Sequence, residues 1–172
     1  MKVIGLDPGG SFGWCVLTED MRYVDGGTEK HKLRARDPKA KRWRDVSDWL
    51  RKLLEEHEPQ LVAIESVRRH AGVLAAHAYG FYRYTAEAHC FDLGIPIHAL
   101  EVGQWKKLSA KKGSASKMTV EEAVSERFPD VEIKSNDHSD AIGIAMAAAS
   151  ILTHPIDTKV PPGGKKKKCK QS

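Results

Sequence analysis

Four carboxylates pose the chemical question in this chain: Asp7, Glu65, Asp137 and Asp140. Asp7 interrupts an apolar opening, KVIGLDPGG, and Glu65 closes a second apolar run, LVAIES. Asp137 and Asp140 open a long apolar stretch, NDHSDAIGIAMAAASIL. A charge at the end of a buried element is costly unless it is paired or bound to a metal. Carboxylates converging from three places form the donor set that hard divalent cations take. Two Mg²⁺ ions held that way, ~4 Å apart, activate a water and stabilise the leaving oxygen of a phosphodiester. Asp137 and Asp140 stand at i and i+3, so a helix puts both on one face. Each carboxylate also has a plainer reading alone. Asp7 before Pro8, Gly9 and Gly10 suits a turn, Asp137 suits a helix N-cap, and Glu65 suits a strand-end surface charge. Asp140, four residues before Ile144 in an apolar stretch, suits the surface least. His138 reads as a bystander or support, and the other histidines lack zinc-ligand spacing.

The elements that must position these groups follow from periodicity. Residues 2–7 and 12–18 read as strands and 21–28 as a third, at the spacing of an antiparallel meander. Between 38 and 57, Trp43, Val46, Trp49, Leu50, Leu53 and Leu54 fall on one helix face, and Pro59 stops it. Residues 60–65 form a short buried strand, 72–92 an Ala-rich helix and 96–100 a fifth strand. Residues 101–117 read as a loop or short helix. Helices follow at about 116–128 and 137–152. Trp43 and Trp49 read as core, and Trp105 as core in preference to a base-stacking contact. The order predicts an α/β fold: a five-stranded mixed sheet, its first three strands antiparallel, with helices on both faces. One domain over 1–155 and a flexible basic tail over 156–172, rich in Pro, Gly and Lys, complete the expected organisation.

The chain has 172 residues, 41% hydrophobic and 30% charged, which suits one soluble domain with a sizeable core. No apolar run reaches the ~18 residues of a membrane span. The opening MKVIGLD reads as a strand and lacks the features of a signal peptide. Three cysteines without a C-x-x-C pair fit reduced thiols and a cytoplasmic location. The net charge of +5 resides in the segment after Val160, PPGGKKKKCKQS, with its five lysines and no acid. Elsewhere residues 30–52 hold ten Lys and Arg against three acids, and residues 105–117 hold five lysines and no acid. Basic segments beside a carboxylate cluster favour a nucleic-acid partner over plain solvated surface.

In this order and spacing, IGLDPG, AIES and the closing D-x-x-D-A-x-x-x-A helix resemble the RuvC family of Holliday junction resolvases, in the ribonuclease H-like superfamily. The resemblance covers nearly all of residues 1–153. It implies that Asp7, Glu65, Asp137 and Asp140 bind two Mg²⁺ per active site, with Mn²⁺ able to substitute. Lys106 and Lys117, eleven apart, match two basic positions that contact the scissile phosphate, and Lys107 rivals Lys106. The activity implied is a metal-dependent, structure-selective endonuclease. It resolves four-way junctions and other branched DNA by paired symmetric nicks. Arg68, Arg69, Lys107, Lys111 and Lys112 join the two lysines as expected DNA contacts. An aromatic residue that the family carries three positions after its strand-four Glu is Arg68 here. A short chain with a basic tail and the looser loop SVRRHAG looks more like the phage-encoded branch, implied to be broader in substrate and to work in the host cytoplasm.

A homodimer is expected, with helix 72–92 as its interface: Ala75, Ala76, Ala78 and Gly80 allow close approach, and Tyr79, Phe81 and Tyr82 offer anchors. Three rivals stay in view. A sugar kinase or actin-like ATPase shares Asp-x-Gly-Gly but needs two copies of the fold. A module that binds branched DNA without cutting it would have four carboxylates repelling the phosphates. A ribonuclease H or transposase-like nuclease would share the fold and act on another nucleic acid.

Overall fold

The apolar run at the N-terminus forms β1 (Lys2–Asp7), which pairs antiparallel with β2 (Phe12–Thr18), itself antiparallel to β3 (Tyr23–Glu29). This computed structural model describes residues 1–31 and 38–153. The expected basic tail and part of the basic segment 30–52 lie outside the described residues. The third strand starts at Tyr23 because Met21 turns the chain, with φ of 59° and its N–H donating to the Thr18 carbonyl at 2.9 Å.

Helix α1 (Lys39–His57) follows, then β4 (Leu61–Ser66), α2 (Val73–Asp92) and β5 (Ile97–Glu101). Segment 101–117, whose sequence suits a loop or a short helix, forms α3 (Val102–Ala110) and a turn. A reciprocal cap at Glu101 and Gln104 starts this helix, and Lys111 at φ 58° ends it. Helix α4 (Lys117–Arg127) and the long α5 (Asn136–Thr153) complete the order. The sheet order is β3-β2-β1-β4-β5, with β4 and β5 parallel to β1 and to each other. This is the expected five-stranded mixed sheet.

Alternation along the strands divides the core. Ile4, Leu6, Phe12, Val16, Val62 and Ile64 meet α1 and α2 on one face. Val3, Cys15, Leu17 and Ala63 meet α3, α4 and α5 on the other. Helix α5 lies unusually close to β1 and β2 because two strand residues lack a side chain. A Cβ on Gly5 would stand 2.3 Å from the Ala141 carbonyl oxygen, and one on Gly13 would stand 2.0 Å from that of Asp137. That close approach brings the start of α5 to the ends of the strands.

Helix α2 corrects one expectation. Tyr82 is buried, its hydroxyl accepting from Arg42 at 2.7 Å, and its ring meets Phe12 edge-on. Phe81 packs on Trp43, and the Tyr79 hydroxyl turns into the protomer. The expected anchors therefore serve this chain's own core. The large apolar residues α2 leaves exposed are Val73, Leu74, Tyr84 and Phe91, and Phe91 is 86% exposed. The described cysteines, Cys15 and Cys90, are buried and free. No helix of the described residues is long and apolar enough to cross a membrane.

Candidate active site

Leu6 of β1 pairs with Ile64 of the parallel β4, so the next residues, Asp7 and Glu65, sit side by side at the carboxyl ends of adjacent strands. Sites in α/β sheets form there, where the strand ends leave a crevice. Helix α5 brings Asp137 in its first turn and Asp140 one turn later. The cap of α5 is Ser135. Its Oγ accepts the His138 N–H at 3.1 Å and its carbonyl accepts the Ser139 N–H at 3.0 Å. Asp137 is thus inside the helix, and the N-cap reading of it falls.

His138 pins the same helix end. Its buried ring accepts the Lys134 N–H at Nδ1, 3.2 Å away. The ring proton therefore belongs on Nε2, which faces the Tyr23 hydroxyl at 3.3 Å and donates to it. Burial first, and then the charge of Lys134, lower the His138 pKa. The imidazole supports the helix and points away from the carboxylates' chemistry.

The electrostatics tie the four acids together. Burial, followed by the charges of Glu65, Asp140 and Asp137, pushes the Asp7 carboxyl from 3.8 up to about 8, and a side-chain hydrogen bond with Glu65 adds to the effect. Burial and then Glu65 raise Asp140, while Lys106 and Lys117 pull it back down. The two lysines eleven residues apart therefore act on the same carboxylate. Lys117 is exposed at the first turn of α4, whose cap is Ser116. Lys106 donates to the Ala115 carbonyl at 2.8 Å, which clasps the loop between α3 and α4. Lys107, Lys111 and Lys112 are exposed along this segment. Arg68, beyond Glu65, forms an ion pair with Glu101, and Arg69 beside it is exposed.

Two supports of Glu65 escaped the sequence. The Tyr79 hydroxyl donates to the Glu65 carbonyl at 3.0 Å and accepts the Val67 N–H at 3.2 Å. The indole of Trp105 donates to Glu65 Oε1 at 3.1 Å. A core tryptophan always raises the question of where its N–H goes, but spacing does not name the partner.

The donor set suits a hard cation: four carboxylates, no thiol, and the one nearby imidazole engaged elsewhere. The proton affinity of Asp7 is raised by burial first and by three neighbouring carboxylates next, and a cation would offset the charge of those neighbours. As placed, the acids are neighbours and not a closed cage, since no three His, Cys, Asp or Glu among the described residues already stand in metal-holding positions. A groove lined by Leu54, Pro59, Leu93 and Pro96 opens beside the starts of β4 and β5, remote from these acids.

The model of the family described as crossover junction endodeoxyribonuclease RuvC matches residues 3–148. The crossover junction endodeoxyribonuclease RuvC of Zymomonas mobilis is 28% identical over 156 residues, covering 87% of this chain and 90% of that relative. That of Trichlorobacter lovleyi is 29% identical, covering 85% of this chain and 83% of the relative. Among solved structures, Thermus thermophilus RuvC superposes with a TM-score of 0.76 at 23% identity, covering 89% of this chain and 96% of that one. The same protein in complex with Holliday junction substrate gives 0.76 at 24% identity, covering 86% and 92%. These matches give the chain the ribonuclease H-like fold. Because the family model spans every element that brings a carboxylate to the strand ends, from Asp7 on β1 to Asp140 on α5, the chain belongs to the RuvC family of crossover junction endodeoxyribonucleases.

Proposed function

We propose that this junction-resolving endonuclease hydrolyses DNA at the strand ends where Asp7, Glu65, Asp137 and Asp140 gather, using two Mg²⁺ ions that Mn²⁺ can replace. The observation that carries the reading is the gathering of acids from three separate elements at one half-buried place, where burial first, and then the charges of Glu65, Asp140 and Asp137, drive the Asp7 carboxyl up to about 8. The family is one of metal-dependent nucleases, and these four side chains are the ones that would hold the ions. Bound there, such ions supply an activated water and neutralise charge on the leaving oxygen.

The protein's own groups do the rest. Asp7 must give up its proton before its carboxylate serves as a ligand, so competence for cations grows with pH. Lys117, exposed and close enough to act on Asp140, presents positive charge where the phosphate gathers negative charge during displacement. Lys106 contributes to the same field. Its ammonium is held by the Ala115 carbonyl, so it shapes the loop that delivers Lys117 as well as adding charge. Arg68, Arg69, Lys107, Lys111 and Lys112 flank the site on two segments and contact the backbone of branched DNA, which positions the substrate without reading bases.

Opposed strands of a four-way junction need two nicks, and one site makes one. A two-fold homodimer supplies both. Val73, Tyr84 and Phe91 lie at i, i+11 and i+18, on one face of α2, and are exposed. An apolar stripe of this kind supports α2 as the contact between copies.

Cleavage of synthetic four-way, three-way, flap and linear DNAs with Mg²⁺ tests the reading. Wild type should cut the four-way junction, and Asp7→Asn should bind it without cutting. An Asp7→Asn protein that cuts at the wild-type rate would refute the assignment. Binding without cutting by the wild type, in any divalent cation, would favour the non-cleaving module instead.

A further inference from the structure

We propose that Trp105 is a positioning residue for the active site: its indole N–H, 3.1 Å from Glu65 Oε1, fixes the orientation in which that carboxylate meets a divalent cation. This rests on the reading of Glu65 as a cation ligand and extends it to a neutral side chain 40 positions away in sequence.

Trp105 is 0% exposed, so its N–H needs a partner inside the protein. The partner is a catalytic-site carboxylate, which makes the bond charge-assisted and directional. One N–H uses one acceptor site on Oε1 and leaves the carboxylate's remaining lone pairs for a cation. Ligands of a metal are held in register by outer hydrogen bonds of this type, and loss of one costs ~10–100-fold in metal affinity.

The indole is itself locked. Helix α3 begins at the Glu101–Gln104 cap, and the Ser109 hydroxyl donates to the Trp105 carbonyl at 2.9 Å. Across the core, Gly143 of α5 leaves room for the ring, for a Cβ there would approach Trp105 to 2.9 Å. The Lys106 ammonium lies 5.4 Å from the ring centroid. The tryptophan thus touches the elements of three site groups: Glu65 through its N–H, α5 through its ring edge, and Lys106 over its ring. A valine or leucine would fill part of the volume and leave Glu65 Oε1 without this donor.

Trp105→Phe keeps an aromatic ring and removes the donor. Calorimetric titration of the DNA-free protein with Mn²⁺ should show affinity about tenfold weaker or worse. Single-turnover cleavage of a four-way junction should need a correspondingly higher Mg²⁺ concentration for half-maximal rate, with junction affinity in chelator unchanged. Unaltered Mn²⁺ affinity in a folded Trp105→Phe protein would overturn the proposal. If Trp105→Phe fails to fold, Trp105 replaced by benzothienylalanine, which keeps the indole outline and lacks only the N–H, decides by the same titration. Glu65→Gln separates this idea from the reading beneath it. If Glu65→Gln abolishes cation binding while the donor-free forms retain it, the positioning role alone fails. If Glu65→Gln leaves cation binding intact, the ligand reading fails first and the positioning role with it.

Discussion

The coupling of Asp7 makes the active site a measurable burden on folding. Its carboxyl is raised from 3.8 to about 8, by burial first and by Glu65, Asp140 and Asp137 next. The folded protein therefore binds this proton more tightly than the unfolded chain does. Stability from that proton is fully present below about 3.8 and is lost as pH rises towards about 8, where the loss levels off. Without metal at pH 7, the gap between pH and the unfolded value corresponds to ~4 kcal/mol. Relaxation and water entry reduce it to ~1–3 kcal/mol. Asp7→Asn removes the titration and keeps the shape, and its amide can still donate to Glu65. At ~2–4 °C per kcal/mol for a chain of this size, the variant should melt roughly 2–12 °C above wild type at pH 7–8 in chelator. At pH 5 the difference should shrink, because the unfolded chain gains little by releasing the proton there. Mg²⁺ at pH 8 should then raise wild type more than the variant, since on the proposed assignment only wild type has all four carboxylates. The assay is a series of thermal melts from pH 5 to 9, with chelator and with Mg²⁺. A melting difference in chelator that is the same at pH 5 and pH 9 would refute the reasoning, because it would remove Asp7 as the titrating group.

Three further outcomes are expected. Lys117→Ala should slow single-turnover cleavage at saturating protein by ~10-fold or more with little change in junction affinity, as befits charge aimed at the transition state; lower affinity with an unchanged rate would leave Lys117 a simple phosphate contact. Deleting residues 161–172, with their five lysines, should weaken junction binding at low salt and flatten its salt dependence by about one unit of slope for each lysine–phosphate ion pair removed, without moving the cut sites; an unchanged slope would deny that segment a role in binding. Light scattering at micromolar concentration should give twice the 19.1 kDa chain mass, and Phe91→Glu should lower it; a monomer both free and on junction DNA would end the paired-nick scheme.

The acids were legible in the sequence because each one contradicts its surroundings. A carboxylate beside Val62, Ala63 and Ile64, or one turn before Ile144, asks for a reason, and helix spacing supplies the shared face. The sheet was legible for a related reason: short apolar runs broken by Pro8-Gly9-Gly10 or Gly94-Ile95-Pro96 leave few alternatives. Ambiguity remained where neighbours offered the same chemistry. Asp137 suits both a helix cap and a cation ligand, and the 3.1 Å bond from the His138 N–H to Ser135 Oγ takes the cap role away from it. Along α2 the Ala-rich pattern gives a weak stripe, so it did not tell that Tyr82 faces inward and Tyr84 outward.

The supports of the site were hidden for a deeper reason. Tyr79 and Trp105 are ordinary core residues by composition, and their hydroxyl and indole meet Glu65 from 14 and 40 positions away. Nothing local in YGFYRY or GQWKK announces those partners. A charged ligand is conspicuous because burying it costs free energy, whereas a neutral donor that offsets part of that cost is satisfied once the bond forms and leaves no anomaly behind. Residues proposed to hold cations are therefore readable one by one, while those that support them become visible only when the fold shows where each buried N–H and O–H is spent.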